Sequence, residues 1–193
     1  TDYLYVSRFI REQFPGEALI ACFTATAKPD VIEDLCGHFQ DSLQIELKTF
    51  FGGHERTNLS YAVVSTSGGE KPQRIVELLR DGLRKEDAAV VFCATRKSAE
   101  TIAQIVAQQG ISCGCYHGGL TADLRKETQR QFLDGELQVI AATNAFGMGV
   151  DKPNVRLVIH AEIPGSLENY LQEAGRAGRD GEGARCVLLF DPQ

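Results

Sequence analysis

The sequence lacks any apolar run that approaches the roughly 20 residues needed to cross a bilayer. The stretch before Pro15 carries acidic side chains and has no apolar core of the kind found in signal peptides, which argues against secretion. We therefore expect an intracellular protein without a membrane segment. Because the chain starts at Thr1 rather than at a methionine, we also expect it to be part of a longer protein.

Cysteine patterns that hold metal are missing as well. The six cysteines contain no CxxC pair, and no pair of histidines stands near them at ligand spacing, so we predict no metal site. Four of them lie in apolar, strand-like runs: Cys22, Cys93, Cys113 and Cys115. We expect these four to be buried, reduced thiols, as is usual in an intracellular protein.

Positive charge is scarce, with 20 basic against 26 acidic side chains and a net charge of −6. Taken alone, this argues weakly against nucleic acid as a partner, because phosphate binding needs a cationic surface. The deficit is uneven, however: residues 1–58 hold 5 basic and 9 acidic side chains, and residues 59–193 hold 15 and 17. The nearly neutral second part can still present a local basic groove.

From residue 59 onward, short apolar runs alternate with amphipathic stretches. The strand-like runs are Leu59–Ser65, Ala88–Ala94, Ser112–Tyr116, Leu137–Ala142, Val155–Ala161 and Ala184–Phe190. Helix-like stretches lie between them, near 71–84, 97–109, 121–134 and 166–175. This alternation predicts an α/β fold in which a parallel sheet is covered by helices on both faces.

Residues 1–58 have a different organisation. We predict a helix near 3–14, a buried strand at Ala18–Phe23, a second helix near 29–39 and a strand near 44–50. These elements are too few to close a hydrophobic core. A hinge-like Gly52-Gly53 pair follows them, so we place a domain boundary at about 52–60.

The segment Gln172–Gly181 carries two arginines, Arg176 and Arg179, among small residues. Small residues let a backbone approach a partner closely, and a guanidinium presents a fixed fork of donors that suits phosphate oxygens. Such an arginine can stabilise the charge of a transferring γ-phosphoryl group. The alternative is a surface turn whose arginines pair with Glu168 or Glu173.

The segment Ile140–Pro153 follows an apolar strand, which places it at the carboxyl edge of a sheet, where open α/β folds bind ligands. Thr143 can donate its hydroxyl to a phosphate. Gly147 and Gly149 permit unusual backbone angles that expose N–H groups to an anion. Asp151 can accept from a ribose hydroxyl or hold an arginine. An ordinary turn with an aspartate cap is the alternative.

Three shorter segments carry candidate polar residues. Thr24 and Thr26 can relay hydrogen bonds between sites, or can simply cap a helix. Thr95 at a helix N-terminus, with Arg96 beside it, makes a ready phosphate site, although Thr95 again suits a plain cap. His117 ends another strand and can contact a nucleic-acid backbone, or can be a hydrogen-bonded structural residue.

In this order, the segments FTATA, VVFCATR, YHGGL, ATNAFGMGVDKPNVR and QEAGRAGRDG resemble the later helicase motifs of superfamily-two enzymes. The run FGMGVDKPNVRLVIH followed by ENYLQEAGRAGRDG is similar to the RecQ family in particular. DEAD-box proteins share GRAGR, but usually have HRIGRAGR at this place. The resemblance spans essentially the whole chain.

The resemblance implies a RecA-like second helicase domain over residues 59–193, preceded over residues 1–58 by the C-terminal remnant of a first RecA-like domain. It implies ATP-driven, 3′-to-5′ translocation on single-stranded DNA and the unwinding of duplexes and junctions in DNA repair and recombination. Such a protein is expected in the cytoplasm (nucleoid) of a bacterium or in a eukaryotic nucleus.

The family's site residues carry over by motif. Arg179 matches the arginine finger, Arg176 and Gln172 would read the γ-phosphate, and Gly149 and Asp151 would lie at the nucleotide cleft. The remaining positions would face the DNA backbone (Thr95, Arg96, His117 and Thr143) or couple the two sites (Thr24 and Thr26).

Two catalytic elements of the family are absent from the chain. It contains neither a GxxxxGK[ST] cradle for phosphate and Mg²⁺ nor a DExH-type acid pair, and both are expected to precede residue 1. We therefore expect ATP and Mg²⁺ to be bound mainly by an upstream domain, and the isolated chain to be inactive. The segment Gly53–Ser60 is similar to the family's interdomain Arg-Pro-Asn region, with Thr57 in place of proline, which leaves the role of Arg56 open.

Two other functions remain compatible with the residues. One is a nucleic-acid-binding module without turnover, and the other is an RNA helicase of a neighbouring family. The intact pair of Arg176 and Arg179 favours an enzyme over a binding module, because a module without chemistry has no need of an arginine finger.

Overall fold

The computed structural model describes residues 3–14, 16, 18–23, 29–50, 56–146 and 150–192. The chain divides into two compact units, residues 1–54 and residues 55–193. In the first unit the helices are α1 (Tyr3–Gln13) and α2 (Pro29–Leu43). In the second unit the strands are β1 (Leu59–Ser65), β2 (Ala88–Phe92), β3 (Cys113–Tyr116), β4 (Val139–Ala142), β5 (Val155–His160) and β6 (Ala184–Phe190). Its helices are α3 (Lys71–Gly82), α4 (Arg96–Gln108), α5 (Ala122–Asp134) and α6 (Leu167–Ala174).

The six strands that the structure describes in the second unit all pair in parallel, in the order β1-β6-β5-β2-β4-β3. The central strand β2 is buried at every position, whereas most residues of the edge strand β1 are exposed. An apolar run without polar alternation is what a strand covered on both faces requires. The predicted α/β fold with a parallel sheet is thus confirmed.

The two faces of the sheet hold separate hydrophobic clusters. Successive residues of a strand point to opposite faces, and β2 shows this directly. Val91 packs with the α3 and α4 side, which includes Leu79 and Ile102. Val90 and Phe92 pack in the other cluster, which includes Phe132 of α5. Helices therefore cover both faces, as the alternating pattern predicts.

Local signals set the helix ends close to the predicted places. Thr95 precedes α4, and its hydroxyl oxygen accepts a hydrogen bond from the Ser98 N–H at 3.0 Å. Thr121 caps α5 in the same way by accepting from Leu124 N at 3.3 Å. At the other end of α5, Gly135 takes a left-handed φ of 82°, which glycine adopts without strain.

The first unit corrects part of the prediction. Both helices are present, and the Ser7 hydroxyl lies 2.8 Å from His38 Nε2. The predicted strands are not: residues 18–23 and 44–50 adopt no strand conformation. Leu19 and Phe23 are almost fully exposed (103% and 94%). An apolar run becomes a strand only when a neighbouring strand pairs with its N–H and C=O groups, and the described part of this unit contains none.

The cysteine prediction is correct in part. None of the six cysteines forms a disulfide, and Cys93 is buried while Cys113 and Cys115 are half-buried. Burial raises the pKa of Cys93 and of Cys113 to about 12. Cys22 is exposed, so its prediction as a buried thiol is wrong; the reason is the missing strand around it. Among the residues that the structure describes, every helix is too short or too polar to span a bilayer.

Candidate functional site

The predicted site residues lie at two opposite ends of the sheet. Thr95, His117 and Thr143 follow β2, β3 and β4, which are neighbours in the sheet, so they gather at the carboxyl ends of the parallel strands. Gly178 N, by contrast, donates to the carbonyl of Val155, the first residue of β5, at 2.8 Å. The loop that carries the two arginines, residues 175–183 (the arginine loop), therefore lies at the amino ends of β5 and β6.

At the carboxyl ends, Arg96 extends over the turn that follows β3. A Cβ atom placed on Gly119 would lie 3.0 Å from Arg96 Nη1, so the glycine leaves the space that the guanidinium occupies. Arg96 remains exposed to solvent. The Thr95 hydroxyl acts as the cap of α4, which is the structural alternative for that residue. This end of the sheet thus combines a helix N-terminus with an exposed cation, a pairing suited to anions.

His117 is buried beneath this surface, and both of its ring nitrogens are engaged. Gly119 N donates to Nδ1 at 3.1 Å, so the ring proton sits on Nε2, which donates to Glu100 Oε1 at 3.0 Å. Neither nitrogen is left over for a phosphate. The geometry therefore favours the structural alternative for His117, in which it fixes the turn that lies under Arg96.

Thr143 is buried in the turn that follows β4. Its N–H donates to the Tyr116 carbonyl at 3.1 Å, and its carbonyl accepts from Phe146 N at 3.0 Å. The residue thus ties the end of β4 to the end of β3. Asn144, the next residue, is exposed on the surface.

At the opposite end, Arg179 is held by the segment that precedes β5. Its Nη1 donates to Asp151 Oδ1 at 2.9 Å and to the Val150 carbonyl at 3.3 Å. Asp151 therefore holds an arginine, one of its two predicted roles, and lies away from the carboxyl ends where the sequence placed this segment. Arg179 keeps about a third of its side chain (35%) open to solvent.

Arg176 is buried, with 8% of its surface exposed. Within the described part of the chain, its Nε and Nη1 atoms have no hydrogen-bond partner. Burial lowers the pKa of Arg176, the positive charge of Arg179 lowers it further, and Glu173 opposes both. Arginine stays protonated despite such shifts, so this is a buried cation with unused donors, for which an anion is the natural partner.

The alternative pairing of the arginines with Glu173 is not what the hydrogen bonds show. The Glu173 carboxylate lies 2.9 Å from His160 Nε2 instead. Gln172 is exposed on α6, one helical turn before Arg176. Four further predicted positions, Gly147, Gly149, Thr24 and Thr26, lie outside the described residues.

Two residues that the sequence left open or did not single out bind the arginine loop directly. The Arg56 guanidinium donates to the carbonyls of Ala177 and Gly178, both at 2.7 Å, and more weakly to that of Gly175 at 3.4 Å. Asn58 Nδ2 donates to the carbonyls of Gly178 and Glu182, both at 2.8 Å. The only sequence signal for them was the likeness of this segment to an interdomain motif.

The arginine loop can approach Asn58 only because residue 178 is glycine. Gly178 has a φ of 55°, and a Cβ atom there would lie 2.5 Å from Asn58 Nδ2 and 2.6 Å from the Glu182 carbonyl. Glycine at position 178 is therefore a steric requirement of this loop.

Comparisons with known proteins agree with this architecture. The model of the helicase conserved C-terminal domain matches residues 70–181, more than half of the chain. The chain is 47% identical over 175 residues to the ATP-dependent DNA helicase RecQ of Bacillus subtilis, covering 91% of the chain and 28% of that protein. It is 38% identical over 194 residues to the putative ATP-dependent DNA helicase Q1 of Caenorhabditis elegans, covering 98% of the chain and 30% of that protein.

A solved structure shows the same fold. A variant of Saccharomyces cerevisiae Dbp5, bound to a variant of Gle1 and to IP6, superposes with a TM-score of 0.73 over 99% of the chain and 47% of its own length. At 20% identity, this likeness establishes the RecA-like α/β fold and nothing more. The chain spans less than a third of the length of the two curated relatives named above. The chain belongs to the helicase conserved C-terminal domain family, and it is the C-terminal helicase portion of a RecQ-family protein.

Proposed function

We propose that this chain is the second motor domain, with a short preceding segment, of an ATP-dependent DNA helicase that moves 3′ to 5′ on single-stranded DNA and unwinds duplexes in repair and recombination. The observation that carries the proposal is Arg176, a buried cation whose Nε and Nη1 lack partners among the described residues, adjacent to the partly exposed Arg179. Relatives named as ATP-dependent DNA helicases support the reaction class.

The arginine loop suits the γ-phosphate of ATP. A phosphate group beside the guanidinium of Arg176 would offset the cost of burying its charge. Arg179, which Asp151 holds at the surface, is our candidate for the arginine finger that stabilises charge in the transition state. Gln172 and Gly149 complete the proposed nucleotide-facing set.

The proposal divides the catalytic parts between domains. This chain contains no GxxxxGK[ST] segment, so ATP and Mg²⁺ would be held mainly by a P-loop domain outside residues 1–193. The chain's own share is to bring two cations to the phosphates and to orient them. On this view the isolated chain does not hydrolyse ATP.

The carboxyl ends of β2, β3 and β4 suit a phosphate backbone. Arg96 is exposed there beside the N-terminus of α4, with Thr143 in the neighbouring turn and His117 beneath. Contacts to phosphates give affinity without sequence readout, which a motor that moves along any sequence needs. We propose that single-stranded DNA crosses this end of the sheet, while nucleotide contacts the opposite end.

The first experiment measures ATP hydrolysis, stimulated by single-stranded DNA, in the full-length protein and its Arg179→Ala variant. Arginine fingers contribute about 10³- to 10⁵-fold to turnover, so we expect a loss of that order with DNA affinity retained. Arg74→Ala is the matched control, because Arg74 is a half-exposed arginine that pairs with Glu77 on α3. Normal hydrolysis by the Arg179 variant would refute the finger assignment, whereas DNA binding without any ATP hydrolysis by the unaltered protein would favour a binding module.

A second experiment tests the DNA-facing end through Arg96→Ala. If Arg96 neutralises one phosphate, the slope of log affinity against log salt should fall by about 0.7 for single strands. Arg80→Ala, which removes an exposed arginine of α3 bound to Gln109, should leave the slope unchanged. The same titration with RNA of equal length distinguishes a DNA motor from an RNA helicase.

A further inference from the structure

We propose that Arg56 and Asn58 are positioning residues for the two arginines, so that the segment entering the second unit sets the geometry of the proposed finger. The inference rests on the proposed function, because it concerns how Arg176 and Arg179 are aimed. Arg56 lies two residues beyond the division between the units at His54.

The hydrogen bonds from Arg56 reach the peptide groups that immediately precede each arginine. The Gly175 carbonyl belongs to the peptide bond that ends at Arg176 N, and the Gly178 carbonyl belongs to the one that ends at Arg179 N. Arg56 Nη1 and Nη2 donate to these two carbonyls at 3.4 and 2.7 Å. Since a peptide group is planar, fixing its oxygen also fixes the nitrogen and Cα atom from which the next side chain leaves.

Asn58 reinforces the second of these contacts. Its Nδ2 also donates to the Gly178 carbonyl, which therefore accepts from two side chains at 2.7 and 2.8 Å. Its Oδ1 in turn accepts from Arg56 Nε at 3.2 Å, which orients the guanidinium plane. The Arg56 guanidinium, the Asn58 side-chain amide and the Gly178 carbonyl form a closed network. None of the three can rotate without breaking a hydrogen bond to the others.

The backbone anchors this network to the sheet. The Asn58 carbonyl accepts from Ala184 N, the first residue of β6, at 2.9 Å. Leu59 N closes a turn on the Arg56 carbonyl at 3.0 Å. A displacement of residues 56–58 would therefore move the peptide planes that aim Arg176 and Arg179, which couples this segment to the arginines over about 120 residues of sequence.

A guanidinium is needed because the acceptors are three separate carbonyls. Arginine presents its donors in a rigid, planar fork, whereas lysine carries one compact ammonium on a flexible stem. Arg56→Lys therefore keeps the charge but loses the geometry. The proposal predicts that this variant behaves like Arg56→Ala in turnover.

The test uses the full-length protein and measures kcat and KM for ATP, the affinity for single-stranded DNA, and the melting temperature. Misplacing a catalytic group by about 1 Å costs roughly 100-fold, so Arg56→Ala should lower kcat by about 10- to 100-fold. KM and DNA affinity should change by less than about threefold, because an interaction made only in the transition state lowers kcat without weakening ground-state binding. Arg74→Ala serves again as the surface-arginine control.

A double-mutant cycle separates positioning from general stabilisation. If Arg56 acts largely by aiming Arg179, adding Arg56→Ala to Arg179→Ala should lower kcat by a clearly smaller factor than Arg56→Ala does alone. The share exerted through Arg179 is then already lost, and only the share through Arg176 remains. A purely structural role would lower activity by the same factor in both backgrounds. Should Arg56→Ala fail to fold, Asn58→Ala and Arg56→Lys carry the same comparison with milder changes.

The outcomes distinguish this inference from the proposed function. Near-normal turnover in folded Arg56 and Asn58 variants, or an undiminished effect in the Arg179→Ala background, would overturn the positioning role alone. Near-normal turnover in Arg179→Ala itself would overturn the finger assignment, and the positioning role with it. A loss in kcat on Arg56→Ala that becomes clearly smaller in the Arg179→Ala background supports both.

Discussion

The close approach of the arginine loop to Asn58 makes Gly178 the most informative single position for stability. In Gly178→Ala, the new Cβ atom must resolve contacts of 2.5 Å with Asn58 Nδ2 and 2.6 Å with the Glu182 carbonyl. A non-glycine residue in the left-handed region costs about 1–2 kcal/mol. Relieving the overpacking adds about 1–3 kcal/mol. We therefore expect a loss of about 2–5 kcal/mol in the free energy of unfolding.

Gly181 is the matched control, because it lies in the same loop and separates the cost of the left-handed backbone from the cost of the steric overlap. Gly181 also has a positive φ, 88°, but a Cβ atom there would meet nothing within 4 Å. Gly181→Ala should thus lose only the conformational part, about 1–2 kcal/mol. The difference between the variants isolates the steric cost of the contact with Asn58.

Urea unfolding of the chain, followed by far-ultraviolet circular dichroism, measures both losses. With a slope of about 1–3 kcal/mol per molar urea, the two midpoints should differ by roughly 1 M. Equal midpoints for the two alanine variants would refute the argument that Asn58 and Glu182 leave no room for a side chain at position 178.

Three further predictions concern stability and thiol chemistry. Thr57 is the second residue of the turn that Leu59 N closes, where proline is favoured, so Thr57→Pro should raise the free energy of unfolding by about 0.4–1 kcal/mol; a drop in the urea midpoint would contradict this. Native Cys22 should react rapidly with maleimide at neutral pH, whereas Cys93 should react only upon unfolding, and labelling kinetics followed by mass spectrometry checks the order. Between pH 9 and 12 the folded state keeps protons on Cys93 and Cys113 that the unfolded state has lost, so stability should fall as the pH rises above 9. The free energy of unfolding should fall by up to about 1.4 kcal/mol per pH unit for each thiol. A Cys93→Ala variant whose stability falls just as steeply with pH would show that the Cys93 thiol does not contribute.

The sheet of the second unit could be predicted closely because its signals are local. The bounds of β1 and β6 agree with the predicted runs residue for residue, and Thr95 and Thr121 mark helix starts through hydrogen bonds that span three residues. Residues 18–23 show the limit of the same reasoning. Their apolar composition resembles that of β2, but a strand also depends on partners, which composition does not reveal.

The candidate site, too, could be predicted from the sequence only in part. Motifs indicated Arg176, Arg179 and Asp151, because the residue types needed for phosphate chemistry stand in an ordered pattern. They did not indicate the contacts of Arg56, whose acceptors are backbone carbonyls about 120 residues away and leave no mark on the side-chain sequence. For His117, the decisive partners are Glu100 and the Gly119 N–H, and only the folded turn shows that both ring nitrogens are already used.

The order of the strands has a consequence for synthesis on the ribosome. Within the described part of the chain, β1 pairs with β6 alone, so residues 59–65 must wait for residues 184–190 before their backbone is paired. At about 5–20 residues per second, this interval lasts roughly 6–25 seconds, during which an apolar strand with an open edge is exposed. A translation pause before β6 has emerged from the ribosome would lengthen that exposure. We expect nascent chains arrested just before β6 to be captured by chaperones and cut by proteases far more readily than chains that include it.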